Sequence, residues 1–325
     1  MGRKRNADKH LPRRVYKKHG AYYYVTAERK WIRLGITEAE MHRAIATLLD
    51  DAPFDNLNAV FDRYESEILP TKAPRTQQDN HAELANLRQA FGHMRPASLK
   101  TKHVYAYLDA RGQTAKVRAN RERSLLSHVY KYAIRWGIVE DNPCTGVMGH
   151  KETPRRRYVT DDEYLAVHTL APPIIQATME IAIITGMRQA DILSLQRHQL
   201  HDDGIHVTPA KTKDRTGRKQ IFEWTPGLRN AVNQALGLPR RLATTWVIAN
   251  HHGQPYTRNG FKAMFGKLMT KAVQDGVLKE RFTFHDLRAK AGSEAEDGMR
   301  LLGHQSPATT RRIYERKPDK VKPIR

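Results

Sequence analysis

Residues 174–187 form a nearly all-apolar stretch of helical length, and this stretch constrains the fold more than any other. A helix that is hydrophobic on every side is stable only inside a core, so we expect this one at the centre of a domain. The chain as a whole is polar, with a net charge of +22 and a mean hydropathy of −0.69. The sequence therefore predicts a domain built around one buried helix, within a strongly basic protein.

The charge restricts the partners that this chain can have. A net charge of +22 and an isoelectric point near 10.1 indicate a polyanionic partner, and nucleic acid is favoured over a membrane surface. No run of about 18 apolar residues is present, which argues against a transmembrane helix. The first residues lack the apolar core of a secretory signal, so we expect a cytoplasmic protein. The single cysteine, Cys144, excludes an internal disulfide and a multi-cysteine zinc site.

Residues 1–50 are predicted to form a small basic module. The β-prone runs at 21–26 and 31–34 predict a short hairpin or a three-stranded sheet. A capping box of Thr37 and Glu40 then predicts the start of a coupling helix. A disordered basic tail is the alternative, but three consecutive tyrosines and a tryptophan favour a folded module.

Two further domains are predicted beyond this module. Apolar residues at helical spacing in four segments predict an all-helical domain over residues 54–142. Residues 143–157 combine Pro, Gly and a basic run without periodicity, and they are the predicted linker. Residues 158–325 are predicted to form a mixed α+β domain with a β-hairpin made by 205–209 and 219–224. The predicted fold class is therefore multidomain and mainly α, with small β elements.

Basic side chains of the first two domains and of the hairpin turn are candidate contacts to DNA phosphates. They are Arg3, Lys4, Arg5, Arg13, Arg14, Lys17, Lys18, Arg118, Arg121 and Lys213. The alternative is that they belong to ordinary solvated surfaces, and the large net charge makes DNA contacts the more attractive interpretation.

The C-terminal domain contains a series of side chains that could grip and attack a phosphodiester. They are, in chain order, Arg188, Lys211, His285, Arg288, His304 and Tyr314. Guanidinium groups match the non-bridging phosphate oxygens bidentately, and a lysine on a mobile turn can protonate a leaving 5′-oxygen. A tyrosine nucleophile would hold the phosphate as an aryl ester close in energy to a diester, so the backbone could be resealed without ATP.

Each of these residues also has a plain structural interpretation. Arg188 could simply pair with Asp191 three positions later, and His285 could cap a helix beside a solvated Arg288. Tyr314 could be a core residue, because the chain contains 13 tyrosines. The lysine could be a non-specific phosphate contact. Each of these signals is weak by itself. The interpretation of the six residues as a phosphodiester-cleaving site depends on their order along the chain.

That order resembles the pattern of the tyrosine site-specific recombinases, specifically bacteriophage integrases of the lambda type. The family carries Arg, Lys on a β-hairpin, His-x-x-Arg, His and then Tyr, and the blocks at 185–188, 301–304 and 309–314 are similar as well. Lys211 is the preferred match for the family lysine because Lys-Thr follows a strand, and Lys213 is the second choice. The opening of the chain, through residue 24, also resembles a lambda-type integrase, so the resemblance spans the whole sequence.

The resemblance implies an arm-type DNA-binding module, a helical core-binding domain and a recombinase catalytic domain. Tyr314 would form a 3′-phosphotyrosyl link while Arg188 and Arg288 clamp the phosphate. His285 would assist the tyrosine, His304 would donate to the phosphate, and Lys211 would be the general acid. Neither a metal nor another cofactor is implied.

The partners implied by the resemblance are double-stranded DNA and further copies of the chain. The DNA would carry core-type and arm-type sites, and four copies would form a homotetramer in the synaptic complex. A DNA-bending host factor and an excisionase are the helper proteins that such a reaction could employ.

Two other classes of protein compete with this interpretation. A non-catalytic DNA-binding or architectural protein would explain the charge, but it would leave the order of the six residues as an accident. A type IB topoisomerase or a telomere resolvase would share the chemistry, but the lambda-like N-terminal module argues against both. A metal-dependent nuclease is disfavoured because carboxylates do not cluster at ligand spacing.

Overall fold

The computed structural model describes residues 11–12, 14–26, 29–50, 54–210, 217 and 219–318. It consists of two compact units, Met1–Thr153 and Pro154–Arg325. The described residues are mostly helical and include two three-stranded antiparallel sheets, which confirms the predicted fold class. The boundaries predicted at 1–50, 54–142, 143–157 and 158–325 are finer than this division and stay predictions. In the part of the chain that the structure describes, no helix combines the length and the apolarity needed to cross a membrane.

The first unit begins with a small sheet whose two faces differ. Its strands are β1 (Val15–Lys18), β2 (Ala21–Val25) and β3 (Trp31–Gly35), paired in the order β1-β2-β3. Tyr22 and Tyr24, two positions apart, both lie on the inner face of the sheet and pack against helix α1 (Glu38–Asp50), whereas Trp31 is exposed on the outer face. Helix α1 starts with the predicted capping box, in which the Glu40 amide donates to Thr37 Oγ1 at 3.2 Å.

Three helices form the rest of the first unit: α2 (Leu57–Glu67), α3 (Pro74–Phe91) and α4 (Thr101–Arg135). The apolar segments at 104–108 and 125–134 were predicted to belong to two separate helices, but the structure has one helix, α4, with a kink at Ala115 (φ −152°, ψ 62°). No proline separates the two apolar stripes, so helical hydrogen bonding resumes after the kink. The ring of His150 lies against Gly112 just before the kink and leaves no room for a side chain there.

The second unit is built around the apolar helix that the sequence singled out. Its elements are α5 (Asp161–Leu170), α6 (Pro173–Thr185), α7 (Gln189–Leu193), β4 (Leu200–His201), β5 (Gly204–Val207), β6 (Gln220–Glu223), α8 (Pro226–Gly237), α9 (Arg258–Gln274), α10 (Phe284–Glu294), α11 (Gly298–Leu302) and α12 (Pro307–Ile313). Helix α6 is buried in the core, as predicted, and it packs against α8 and α10. Strands β5 and β6 form the predicted hairpin, with Ile205 opposite Phe222.

The end of α6 determines where the chain leaves this core. Gly186 follows the helix in the left-handed conformation (φ 61°, ψ 14°), and its amide donates to the Ala182 carbonyl at 2.9 Å. A Cβ atom at this position would lie 2.9 Å from the Leu302 side chain. The turn therefore requires glycine, and it carries the chain outward to Arg188, the residue that caps α7.

We expect Gly186→Ala to destabilise the protein, because an L-residue in the left-handed conformation costs about 1–2 kcal/mol and its methyl group would press on Leu302. Urea unfolding followed by circular dichroism measures the change. Gly237→Ala is the matched control, because no atom lies within 4 Å of the added methyl group. A Gly186→Ala variant as stable as this control would contradict the assignment.

Candidate active site

Helix α10 places two of the candidate residues side by side. The helix begins at the Thr283 capping box, in which the Thr283 amide and hydroxyl donate to Asp286 Oδ2 at 2.8 and 2.9 Å. Phe284 and Leu287 anchor the helix in the core. His285 and Arg288, three positions apart, therefore share one face, with His285 exposed and Arg288 buried.

The guanidinium of Arg288 connects three segments of the unit. It donates to the carbonyl of Gly186 after α6 and, at 2.8 Å, to the carbonyl of Leu302 at the end of α11. Burial, followed by repulsion from Arg188, lowers the pKa of Arg288. Among the described residues, no group pairs with its Nε atom. A buried cation beside a second cation, with an unused donor, favours the entry of an anion such as phosphate.

Arg188 lies at the start of α7 with its side chain 23% exposed. Its Nη1 atom is 4.0 Å from Asp191 Oδ2, and Asp191 Oδ1 accepts the Ala210 amide at 3.1 Å. The pairing with Asp191 therefore leaves part of the Arg188 guanidinium accessible to a ligand. Asp191 thereby also holds the backbone at Ala210, just before the predicted hairpin turn. Lys211 and Lys213, the candidate lysines of that turn, lie outside the described residues.

His304 is buried next to Arg288. Its Nδ1 atom lies 2.9 Å from Thr310 Oγ1, and its Nε2 atom lies 3.3 Å from Arg288 Nη2. A guanidinium can only donate, so Nε2 accepts and the proton of the neutral imidazole belongs on Nδ1, toward Thr310. The predicted hydrogen bond from His304 to a phosphate would need a proton on Nε2, and it stays a prediction.

Tyr314 directly follows α12 and is buried among the other candidates. Its hydroxyl lies 3.4 Å from His285 Nε2, and its ring lies 4.6 Å from the His304 ring, centroid to centroid. The Arg288 guanidinium carbon is 5.5 Å from the centre of the same ring. Ser306 occupies the N-cap position of α12 and Pro307 its first turn, and the Ser306 side chain makes no capping hydrogen bond there.

His285 is electrostatically prepared to accept a proton. Desolvation by the surrounding protein, followed by the positive charges of Arg288 and Arg316, lowers the pKa of this imidazole. The neutral form is therefore the prevailing one at neutral pH. A neutral His285 with Nε2 facing the Tyr314 hydroxyl can act as a general base toward it.

The sequence analysis missed the residues that hold Tyr314 in place. Asp286 accepts from Arg316 Nη1 at 2.6 Å, and Ser293 Oγ donates to the Tyr314 carbonyl at 2.5 Å. The pattern Thr283-x-x-Asp286 is a capping box that the sequence could have revealed. Nothing in the sequence distinguishes Arg316 from the other basic residues of the C-terminal segment.

The remaining candidate DNA contacts belong to the first unit. Arg3, Lys4, Arg5 and Arg13 lie outside the described residues. Arg14, Lys17 and Lys18 lie on or beside β1, and Lys18 Nζ is 5.5 Å from the Trp31 ring. Arg118 and Arg121 are exposed on the second half of α4, where Arg121 lies 3.9 Å from Glu152. All of these contacts stay predictions. Within the ranges that the structure describes, no three His, Cys, Asp or Glu residues gather in a group that could hold a metal ion.

Comparison with known proteins gives consistent matches over nearly the whole chain. The model of the Phage integrase family matches residues 160–320, and the model of the Phage integrase central domain matches residues 57–150. The integrase of Escherichia phage HK022 is 27% identical over 355 residues, covering 97% of this chain and 96% of that protein. A lambda integrase dimer bound to a COC′ core site matches with a TM-score of 0.70 at 22% identity, over 100% of both chains. A lambda integrase tetramer bound to a Holliday junction matches with a TM-score of 0.70 at 22% identity, over 98% of this chain and 99% of that one.

The family-model matches and the curated relatives, which include a tyrosine recombinase XerD of Listeria monocytogenes at 29% identity over 43% of this chain and 48% of that protein, define the class of the tyrosine recombinases; the tyrosine set among two histidines and an arginine is consistent with it. The two family models together span most of the sequence, and the chain therefore belongs to the phage integrase family. The resemblance seen in the sequence is confirmed.

We expect Asp286→Asn to remove part of the acid sensitivity of folding. Burial opposes ionisation of Asp286, but donors from Thr283 and Arg316 outweigh it and lower the pKa of the carboxyl group. The stability gained from Asp286 is therefore present above its unfolded pKa of about 3.9 and is lost as the pH falls through the lower folded value. Urea unfolding between pH 7 and pH 2.5 measures this. The exposed Asp109 provides the control, Asp109→Asn, and equal acid sensitivity of both variants would contradict the expectation.

Proposed function

We propose that this site-specific recombinase cuts DNA by attack of the Tyr314 hydroxyl on the scissile phosphorus. The bond from the tyrosine oxygen to phosphorus forms while the bond from phosphorus to the 5′-oxygen breaks. The products are a 3′-phosphotyrosyl link and a free 5′-hydroxyl. The observation that carries this proposal is the 3.4 Å separation of the Tyr314 hydroxyl from His285 Nε2, beside the buried Arg288.

The neighbouring side chains take the roles that their chemistry allows. His285 accepts the proton that the tyrosine hydroxyl loses as it attacks. Arg188 and Arg288 stabilise the negative charge that develops on the non-bridging oxygens. His304 adds a hydrogen bond to the phosphate when its Nε2 carries a proton, and Lys211, or Lys213 as second choice, protonates the leaving 5′-oxygen. The phosphotyrosyl ester conserves the energy of the broken bond, so no nucleotide is consumed.

Strand exchange follows when the 5′-hydroxyl of another duplex attacks the phosphotyrosyl link. The lambda integrase structures, a dimer on a core site and a tetramer on a Holliday junction, support an assembly of four copies on two duplexes. The helical domain with Arg118 and Arg121 would bind core-type sites, and the small sheet with its basic N-terminal arm would bind arm-type sites. The substrate would be intracellular DNA in the bacterial cytoplasm, with a DNA-bending host factor and an excisionase as helpers.

We expect Tyr314→Phe to abolish covalent protein–DNA adducts, because the variant loses the attacking oxygen but keeps the ring. DNA affinity should stay near the wild-type value. A nicked duplex that carries the attachment site traps the adduct, which denaturing gel electrophoresis detects. Tyr256→Phe is the control and should form the adduct normally. Adducts of wild-type yield in Tyr314→Phe would remove Tyr314 from its role.

The pH dependence of cleavage should report the lowered pKa of His285. Protonation of His285 would block its action as a base, so the single-turnover cleavage rate should fall at acid pH with a midpoint below the ordinary histidine pKa of about 6.5. His285→Ala should lower the plateau by about 10²–10⁴-fold and remove this acid limb. Rates measured from pH 5 to pH 8 test both statements. An acid limb centred above pH 6.5 would exclude a neutral His285 of lowered pKa as the base.

A further inference from the structure

The chain segment that carries Tyr314 is fastened to α10 through two anchors. The first is Ser293, whose hydroxyl donates to the Tyr314 carbonyl at 2.5 Å and accepts the Arg316 amide at 2.8 Å. The second is an ion pair between Arg316 Nη1 and Asp286 Oδ1, 2.6 Å apart, with the side chains only 5% and 1% exposed. The first anchor therefore holds the backbone at Tyr314 and Arg316. The second holds the side chain of Arg316, two positions beyond the nucleophile.

The geometry of Arg316 leaves its side chain little freedom. Besides Asp286, its guanidinium donates to the Arg157 carbonyl at 3.1 Å and to the Ile313 carbonyl at 2.8 Å. The bond to Ile313 folds the side chain back over the last turn of α12. Arg316 is thus bonded at once to the helix that presents Tyr314 and to the helix that carries His285.

The two carboxylate oxygens of Asp286 accept hydrogen bonds from different groups. Oδ1 accepts from Arg316, whereas Oδ2 accepts from Thr283 and, at 3.0 Å, from Arg155 Nε. Asp286 and Ser293 are seven residues apart, about two turns, and so lie on the same side of α10. The neighbour of Asp286 in the chain is His285, the proposed base. The anchors and the base are therefore parts of one rigid helix.

This arrangement restricts where the Tyr314 hydroxyl can be. Two residues span at most about 7 Å, so a fixed Arg316 confines the tyrosine to a small volume. A displacement of about 1 Å at a reacting group can cost about 10²-fold in rate. The anchors thus lie close enough to the nucleophile for their geometry to matter in the chemical step.

We propose that the ion pair between Asp286 and Arg316 positions the nucleophile. It holds Tyr314 next to His285 before the phosphate is attacked. The inference rests on the proposed function, because it takes Tyr314 as the nucleophile. Asp286 and Arg316 are positioning residues: they contact the segment around Tyr314 and not the reacting atoms.

The proposal predicts an asymmetry between the two halves of the reaction. Cleavage requires a free tyrosine to be held in place, so it depends on the anchors. Religation starts from a tyrosine that is already bonded to phosphorus, so the covalent bond replaces the anchors. Loss of the ion pair should therefore slow cleavage much more than religation. A residue that merely supports the whole site would slow both.

Arg316→Gln tests this asymmetry. Cleavage is followed in single turnover on a nicked duplex that carries the attachment site. Religation is then measured by adding a strand with a 5′-hydroxyl to the accumulated adduct. We expect cleavage to fall about 10–100-fold and religation to change less than about threefold. Arg316→Lys should recover part of the cleavage rate. Measurement at pH 8 avoids interference from the effect of Arg316 on the pKa of His285.

The matched control is Thr283→Ala, which removes a hydroxyl bound to the other oxygen of Asp286 and leaves Arg316 in place. Its cleavage rate should stay within about threefold of wild type. If Arg316→Gln does not fold, as judged by circular dichroism, Ser293→Ala tests the other anchor and should show the same asymmetry on a smaller scale. Equal slowing of both steps, or no slowing of either, would overturn the proposal. Failure of the proposed function is a separate result, because adducts would then persist in Tyr314→Phe.

Discussion

The buried guanidinium of Arg288 is the interaction on which the geometry of the site depends. It bonds the carbonyl after α6 to the carbonyl that ends α11, and it faces His304 and the ring of Tyr314. These groups come from the turn at Gly186, 102 residues before Arg288, and from the segment 302–314 that follows α10. Because carbonyl oxygens carry only partial charge, Arg288 is held firmly although the described residues give it no direct ion-pair partner. A phosphate would supply that partner, so the residue that assembles the site would also attract the proposed substrate.

Helix α10 organises the chemistry around that residue. It presents His285 and Arg288 on one face and Asp286 and Ser293 beside them. Asp286 neutralises Arg316 within the protein, whereas Arg188 and Arg288 repel each other, as the lowered pKa of Arg288 reflects. Desolvation, followed by the positive charges of Arg288 and Arg316, lowers the pKa of His285 and keeps it in its neutral form. The unit therefore contains two different charged pairs. Asp286 and Arg316 neutralise each other within the protein, whereas Arg188 and Arg288 are both positive and can bind an anion.

Much of the fold could be predicted from local sequence. The apolar run in α6, the β-prone run at 21–26 that forms β2, and the capping box at Thr37 are all local signals, and the structure confirms them. Prediction failed where packing outweighs a local signal. Two predicted helices are one kinked helix, α4.

The sequence by itself determined which chemical groups this protein carries and in what order, because residue identity and short spacings are written directly in the chain. His285 and Arg288 share a face as soon as the helix forms, without help from the rest of the fold. Only the tertiary structure decided that Arg288 meets Gly186, 102 residues earlier, and that Arg155 and Arg316 are the basic residues that pair with Asp286. Contacts over such separations arise from the packing of α6, α10 and α12, which no local pattern records.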